Sequence, residues 1–151
     1  MGFVYADIEL SNRYHELLVL DGLRKPEELL KLKVNALVDT GSITIAINEE
    51  IQAKLKFPVL TRMPTTLADG SKLILEYVDQ IVIRFGNREC IVQGYVLPGN
   101  SEVLLGAIPI EYMDVVIDLK NRELTINPEH PEGAVGVLKG NVKNVWNKLT
   151  K

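Results

Sequence analysis

The chain has one cysteine, Cys90, two histidines, His15 and His130, and one tryptophan, Trp146. A single thiol excludes an internal disulfide and suits a reducing compartment. One thiol and two imidazoles far apart in sequence supply no metal-ligand cluster, so no metal and no cofactor is expected. Basic residues do not exceed acidic ones: 17 Lys and Arg against 20 Asp and Glu leave a formal charge of −3. That balance gives no cationic surface of the kind nucleic acid needs. No apolar run approaches the roughly 20 residues of a membrane-spanning helix. The start, Met1-Gly2-Phe3-Val4-Tyr5-Ala6-Asp7, lacks the charged end and apolar centre of a signal peptide. Ala6 stands where a myristoylation signal has Ser or Thr. A cytoplasmic protein with neither nucleic acid nor membrane as partner is the expectation. Internal repeats and low-complexity tracts are also missing.

What is present is a single-domain length, 151 residues, with 46% hydrophobic residues, enough for a real core. Most of the chain reads as short strands separated by turns, which predicts an all-β fold, a small closed barrel or sandwich with short helices. Residues 3–10 carry β-formers. Residues 11–28 are polar apart from Leu17 to Leu20 and read as a loop or hairpin extension ending at Lys25-Pro26. Residues 29–38 and 43–47 read as strands, and Asn48 is placed to cap a short helix over Glu49 to Leu55. Hairpins follow around Asp69-Gly70, around Gly86-Asn87-Arg88 and around Lys120-Asn121-Arg122. Lys72 to Tyr77 leads away from the first turn, and Gln80 to Phe85 and Glu89 to Leu97 form the arms of the second hairpin. Val103 to Leu105 is a buried strand stopping at Gly106, and Ile108 to Met113 makes one helical turn. Pro128 and Pro131 end the compact pattern, giving a domain over residues 1–130 and an extension over 131–151. In that extension Val142, Val145, Trp146 and Leu149 have the spacing of a small amphipathic helix. Cys90 sits on an alternating strand as a small core residue, and both histidines sit in polar loops and read as solvated.

The residue that asks for an explanation is Asp39. It ends an apolar run, Val34, Ala36, Leu37, Val38, and starts a Thr40-Gly41-Ser42 turn, after which Ile43, Ile45, Ala46 and Ile47 resume the core pattern. A carboxylate between two stretches of core is costly unless it is paired or shares a proton, so chemistry is a better reason for it than solubility. Taken alone, Asp39-Thr40-Gly41 also fits a turn whose carboxylate binds its own loop, and Ser42 also fits a turn cap. Asp69-Gly70, by composition, is a hairpin turn.

Together these segments carry a resemblance. Ala36-Leu37-Val38-Asp39-Thr40-Gly41-Ser42 resembles the active-site loop of aspartic peptidases. Val103-Leu104-Leu105-Gly106 resembles the apolar-apolar-Gly segment that braces that loop in retropepsins, and the hairpin at Asp69-Gly70 stands where that family has its flap. Thr66-Leu67-Ala68-Asp69-Gly70, Leu105-Gly106-Ala107-Ile108-Pro109 and Asn127-Pro128-Glu129-His130-Pro131 are similar to segments of the prokaryotic retroviral-like (retropepsin-like, clan AA) aspartic peptidases. The likeness covers roughly residues 3–127 and implies a small closed barrel of the acid protease type.

It also implies an aspartic endopeptidase acting on a peptide or protein substrate. That chemistry needs two carboxylates sharing a proton across an attacked water, the dyad for which aspartic peptidases are the standard example. The chain has one Asp-Thr-Gly, so the resemblance implies a homodimer with Asp39 from each copy at the two-fold axis. Catalytic roles then fall to Asp39, to Thr40, whose hydroxyl would cross to the other copy's loop, and to Gly41, which lets the backbone approach the carboxylate. Ser42 would bond the outer carboxylate oxygen, and Ala68, Asp69, Gly70 and Ser71 would close over substrate. Asp69 makes this flap more polar than the glycine- and apolar-rich flaps of the retroviral enzymes. The competing expectation is a catalytically silent peptide-binding or assembly module that keeps the fold and dimerises without hydrolysis. An aspartyl-phosphate mechanism lacks support, because there is no glycine-rich phosphate loop and no alternating strand–helix pattern.

Overall fold

Six strands hydrogen-bond in a closed ring. In a computed structural model, which describes residues 2–135, the elements run in this order: β1 (Tyr5–Asn12), α1 (Arg13–Leu20), a 3-10 turn at Pro26–Glu28, β2 (Leu32–Val38), β3 (Ile45–Asn48), α2 (Glu49–Leu55), β4 (Val59–Thr66), β5 (Lys72–Phe85), β6 (Arg88–Leu97), β7 (Leu104–Leu105), α3 (Ala107–Met113), β8 (Val115–Asp118) and β9 (Glu123–Ile126). The large sheet has the order β1-β2-β7-β3-β6-β5-β4, and an extra β1–β5 pairing closes it on itself. β4 hangs from β5 outside the ring, and β8-β9 is a separate hairpin. The all-β expectation with short helices therefore holds. The amphipathic helix expected near the C-terminus lies outside the described residues.

The core is what alternation on these strands predicts. Leu10, Ala36, Ile45, Ile47, Val78, Ile81, Ile83 and Leu105 are fully buried inside the ring. Leu55 of α2 and Met113 of α3 are buried in the same cluster. Asn48 caps α2 as its sequence position suggests, its side-chain oxygen accepting the Ile51 N–H at 2.9 Å. Cys90 is buried among these residues, and burial pushes its thiol pKa up to about 12, so it is a packing residue and not a nucleophile. No helix among the described residues is long and apolar enough to cross a membrane.

Two segments differ from the expectation. Residues 11–28 are not a loop or hairpin extension, since α1 occupies Arg13–Leu20. The Asn12 side chain caps it by accepting the Tyr14 N–H at 2.9 Å. No α1 residue is buried, so the helix prints no apolar stripe into the sequence. His15 is part of this helix and half-buried, and burial, with Arg24 and Lys56 nearby, lowers its pKa. The second difference is β5, which is one strand rather than two. Asp79-Gln80 forms a bulge, with Gln80 at φ 67° and its N–H donating to Asp79 Oδ1. Beyond the bulge β5 exchanges β4 for β1 as its neighbour, which is how the ring closes.

Ion pairs fasten α1 to that closure. Arg84 on β5 lies 2.9 Å from Glu16 and 2.8 Å from Glu89, and Arg13 reaches the same two carboxylates at 2.8 and 3.1 Å. Burial alone would raise the Glu16 pKa, but Arg84, Ser11 and Arg13 outweigh it and hold the carboxyl below its usual range. A group depressed in the folded state stabilises above its unfolded pKa, and that contribution fades as the pH falls through the folded value. Glu16→Gln is thus expected to lower Tm at neutral pH by roughly 2–4 °C. Melting curves of variant and wild type should converge below the ordinary glutamate range, and a constant gap at all pH would exclude the ionic origin.

Candidate active site

Strand order explains why Asp39 sits where it does. β7 runs parallel to β2 on one side and antiparallel to β3 on the other. The loop from Asp39 to Thr44 must therefore bridge over β7, a span of about two strand spacings, or 10 Å. The Asp39 N–H donates to Leu105 O at 2.9 Å, continuing the β2–β7 pairing into the loop. Under the loop the chain leaves β7 through Gly106, and the first α3 amides hold the loop from below. Ala107 N–H donates to Ser42 O and Ile108 N–H to Ile43 O, both at 2.9 Å.

The half-buried Asp39 carboxylate is gripped at both oxygens. Gly41 N–H donates to Oδ1 at 3.0 Å and the Ser42 hydroxyl to Oδ2 at 3.2 Å. A Cβ on Gly41 would stand 3.1 Å from Oδ1, tighter than an ordinary contact. Thr40 is exposed beside the carboxylate. The carboxylate opens into a cleft of about 500 Å³. Its floor is Asp39, Gly41, Ser42, Ile43, Thr44 and Ala46, and Thr65 to Ala68 of the β4–β5 hairpin roof it. Leu75, Tyr95, Leu97 and Leu104 form the walls, so among the described residues Asp39 alone brings a charged side chain to the cleft.

Of the four hairpin residues singled out from sequence, Ala68 lines the cleft, while Asp69, Gly70 and Ser71 form the exposed tip outside the lining. The Asp69 carboxylate is turned onto its own loop, accepting the Ser71 hydroxyl at 2.5 Å and the Ser71 N–H at 2.9 Å. The Ser71 hydroxyl, then its amide, holds the Asp69 pKa below the usual range. Gly70 adopts φ 85°, which the turn requires and other residues resist.

Sequence reasoning passed over Tyr95 and Leu97. Alternation on β6 puts both on one face, but that this face meets the cleft depends on the parallel β3–β6 register, Ala46 opposite Tyr95. Tyr77 packs against Tyr95 at a ring separation of 5.1 Å, so packing is its observed role. Tyr112 is exposed on α3 and does not line the cleft. A larger, shallower hollow of about 750 Å³ lies by Asp7, Lys33, Asn35 and Arg84. Arg84 is already committed to its carboxylates, and the hollow offers no comparable convergence on one reactive group.

No protein-family model and no curated protein matches the chain. Solved structures do match. A retropepsin-like aspartic protease from Rickettsia conorii aligns with a TM-score of 0.52 and 22% identity, over 78% of this chain and 77% of its own. The retroviral protease-like domain of Ddi1 from Leishmania major aligns with a TM-score of 0.54 and 14% identity, over 85% of this chain and 90% of its own. The fold is retropepsin-like. Within that fold, the Asp39 loop, hydrogen-bonded to Leu105, Ala107 and Ile108, and the roofing hairpin border one cleft.

Proposed function

We propose that the chain is an aspartic endopeptidase working as a homodimer, with Asp39 from each copy sharing one proton across a water. The observation that carries this reading is the Asp39 carboxylate, fixed at both oxygens and opening into a hairpin-roofed cleft whose lining, among the described residues, is otherwise uncharged. One ionised carboxylate takes a proton from the water, whose oxygen attacks the peptide carbonyl carbon. Its protonated twin donates to the carbonyl oxygen, giving a tetrahedral diol. A proton then passes to the amide nitrogen and the C–N bond breaks. Two such carboxylates cannot both ionise, so the dyad titrates as a pair. Thr40, exposed at the loop, would tie the two loops together, and Asp69, Gly70 and Ser71 would carry the flap tip across substrate. The substrate would lie as an added strand between roof and floor.

Exposure around Asp39 supports the dimer. Ile43 is 65% exposed within the loop, and Phe3, one residue before the Val4 that accepts the Val38 N–H, is 71% exposed. Large apolar side chains left in water beside a half-built dyad fit a surface that a second copy covers.

The test is concentration. Cleavage of a diverse peptide pool per mole of chain should be constant while light scattering reports a dimer. It should fall in step with the dimer fraction as the protein is diluted. Cleavage by a monomer would refute the dyad, and a dimer that binds peptides but cuts none would establish the silent module instead.

A further inference from the structure

The Asp39 loop is held from below by the N-terminal end of α3, so whatever fixes the other end of α3 also bears on the loop. Asp114 caps that end in the left-handed conformation, φ 55° and ψ 55°. Its side chain gathers the segment after β9. Oδ1 accepts Asn127 Nδ2 at 2.9 Å, and Oδ2 lies 2.6 Å from His130 Nδ1 and 3.3 Å from Val135 N. With the carboxylate ionised, it is His130 Nδ1 that carries the proton.

Arg88 at the start of β6 locks the same segment from beneath. It is 1% exposed, and Nη2 donates to His130 O at 2.5 Å and to Asp114 O at 3.4 Å. Its Nε and Nη1 are buried with no acceptor among the described residues. No carboxylate among the described residues pairs with it, so the two carbonyls, one of them that of Asp114, the residue capping α3, are what offset its burial. Asn87 adds a bond to Pro131 O at 2.9 Å. His130 is therefore not a solvated loop residue, as its polar surroundings in sequence suggested, but half-buried in a clasp.

We infer that Asp114 is a positioning residue for the Asp39 loop, acting through α3 and held in place by a clasp made of Asn127, His130 and Arg88. The helix between is a rod about 10 Å long. Pro109, Ile110 and Met113 bury one side of it, so a shift at Asp114 reaches Ala107 and Ile108 rather than dissipating. The kinetic consequence rests on the peptidase reading; the mechanical one does not.

The test compares His130→Ala, His130→Asn and Asp114→Asn with Asp118→Asn. Asp118 accepts two similar turn bonds from Asn121 at the end of β8 away from α3. Two quantities are measured on the full chain: kcat and KM for a peptide that the wild type cuts, and hydrogen exchange at the Ala107 and Ile108 amides. His130→Ala and Asp114→Asn should lose kcat about tenfold with KM within about twofold, the signature of a displaced reacting group. Both should speed exchange at the two amides about tenfold. His130→Asn, whose amide N–H takes the place of the Nδ1–H facing Asp114, should recover most of both, and Asp118→Asn should match the wild type. Faster exchange confined to residues 127–135 would overturn the inference. So would unchanged kcat in a folded His130→Ala chain. If the wild type cuts no peptide, the peptidase reading fails and the exchange measurement alone decides the inference.

Discussion

Asp39→Asn is expected to abolish peptide cleavage while leaving fold and dimer intact. The loop tolerates the change because its hydrogen bonds can be kept. Gly41 N–H still finds an oxygen at Oδ1, and the Ser42 hydroxyl, which donates to Oδ2, can turn to accept from the new amide. What goes is proton transfer. Asparagine can neither take a proton from water nor donate one to a carbonyl oxygen, and in a homodimer both partners are lost together. General acid–base catalysis at one site is worth on the order of 10²–10⁴-fold, so activity should fall by at least about 10³-fold. The proton-sharing pair carries one net negative charge, and two neutral amides able to hydrogen-bond across the axis should leave the dimer no weaker. Mixing offers a sharper version. At equal concentrations of wild type and variant that exchange freely, about a quarter of the dimers carry two Asp39 side chains. Activity per wild-type chain should then halve, whereas a catalyst complete in one chain would lose nothing. Residual cleavage at the wild-type rate by the purified variant would refute the role given to Asp39.

Much of this site was legible because it is written in local sequence. Apolar runs on both sides of Asp39-Thr40-Gly41-Ser42 fix two strands and the turn between them, and Asn48 fixes the start of α2. Asp69-Gly70 fixes a hairpin tip, and Leu105-Gly106 fixes the end of a buried strand. What stayed hidden depends on contacts between distant segments. α1 is held by an Asn12 cap and by ion pairs to Arg84 and Glu89, not by a buried stripe, so periodicity had nothing to report. The bulge at Asp79-Gln80 looked like a break between strands because polar residues usually end one, whereas here Asp79 satisfies the bulge itself. His130 looked solvated because its partners, Asp114 and Arg88, lie on other elements. Tyr95 became a cleft wall only through the register of β3 on β6.

Gly106→Ala should be the most damaging single-methyl change to this site. Glycine is often needed for a positive φ, but Gly106 has φ −92° and ψ −172°, which any residue adopts, so the requirement here is purely steric. A Cβ would lie 2.1 Å from Thr44 O, 2.5 Å from Ser42 O and 2.9 Å from Ser42 C. All three are backbone atoms of the loop that bridges β7, so no rotamer change relieves the clash. The loop can only lift, and lifting it stretches the Ala107-to-Ser42 and Ile108-to-Ile43 bonds and moves Asp39 with it. Overpacking of this kind costs about 3 kcal/mol, or roughly 10 °C in Tm for a chain of this size at fixed concentration. Cleavage should drop far more than stability at temperatures where the variant remains folded, because a displacement of about 1 Å in a reacting group can cost about 100-fold. Two controls separate the causes. Gly99→Ala meets no atom within 4 Å but must adopt φ +59°, so it tests the backbone cost alone and should leave cleavage unchanged. Among the described residues Gly41→Ala meets Asp39 Oδ1 alone, at 3.1 Å, and should cost little stability while impairing cleavage. A Gly106→Ala chain with wild-type Tm would show that the Ser42–Thr44 backbone yields freely, and the brace would then not be what holds Asp39 in place.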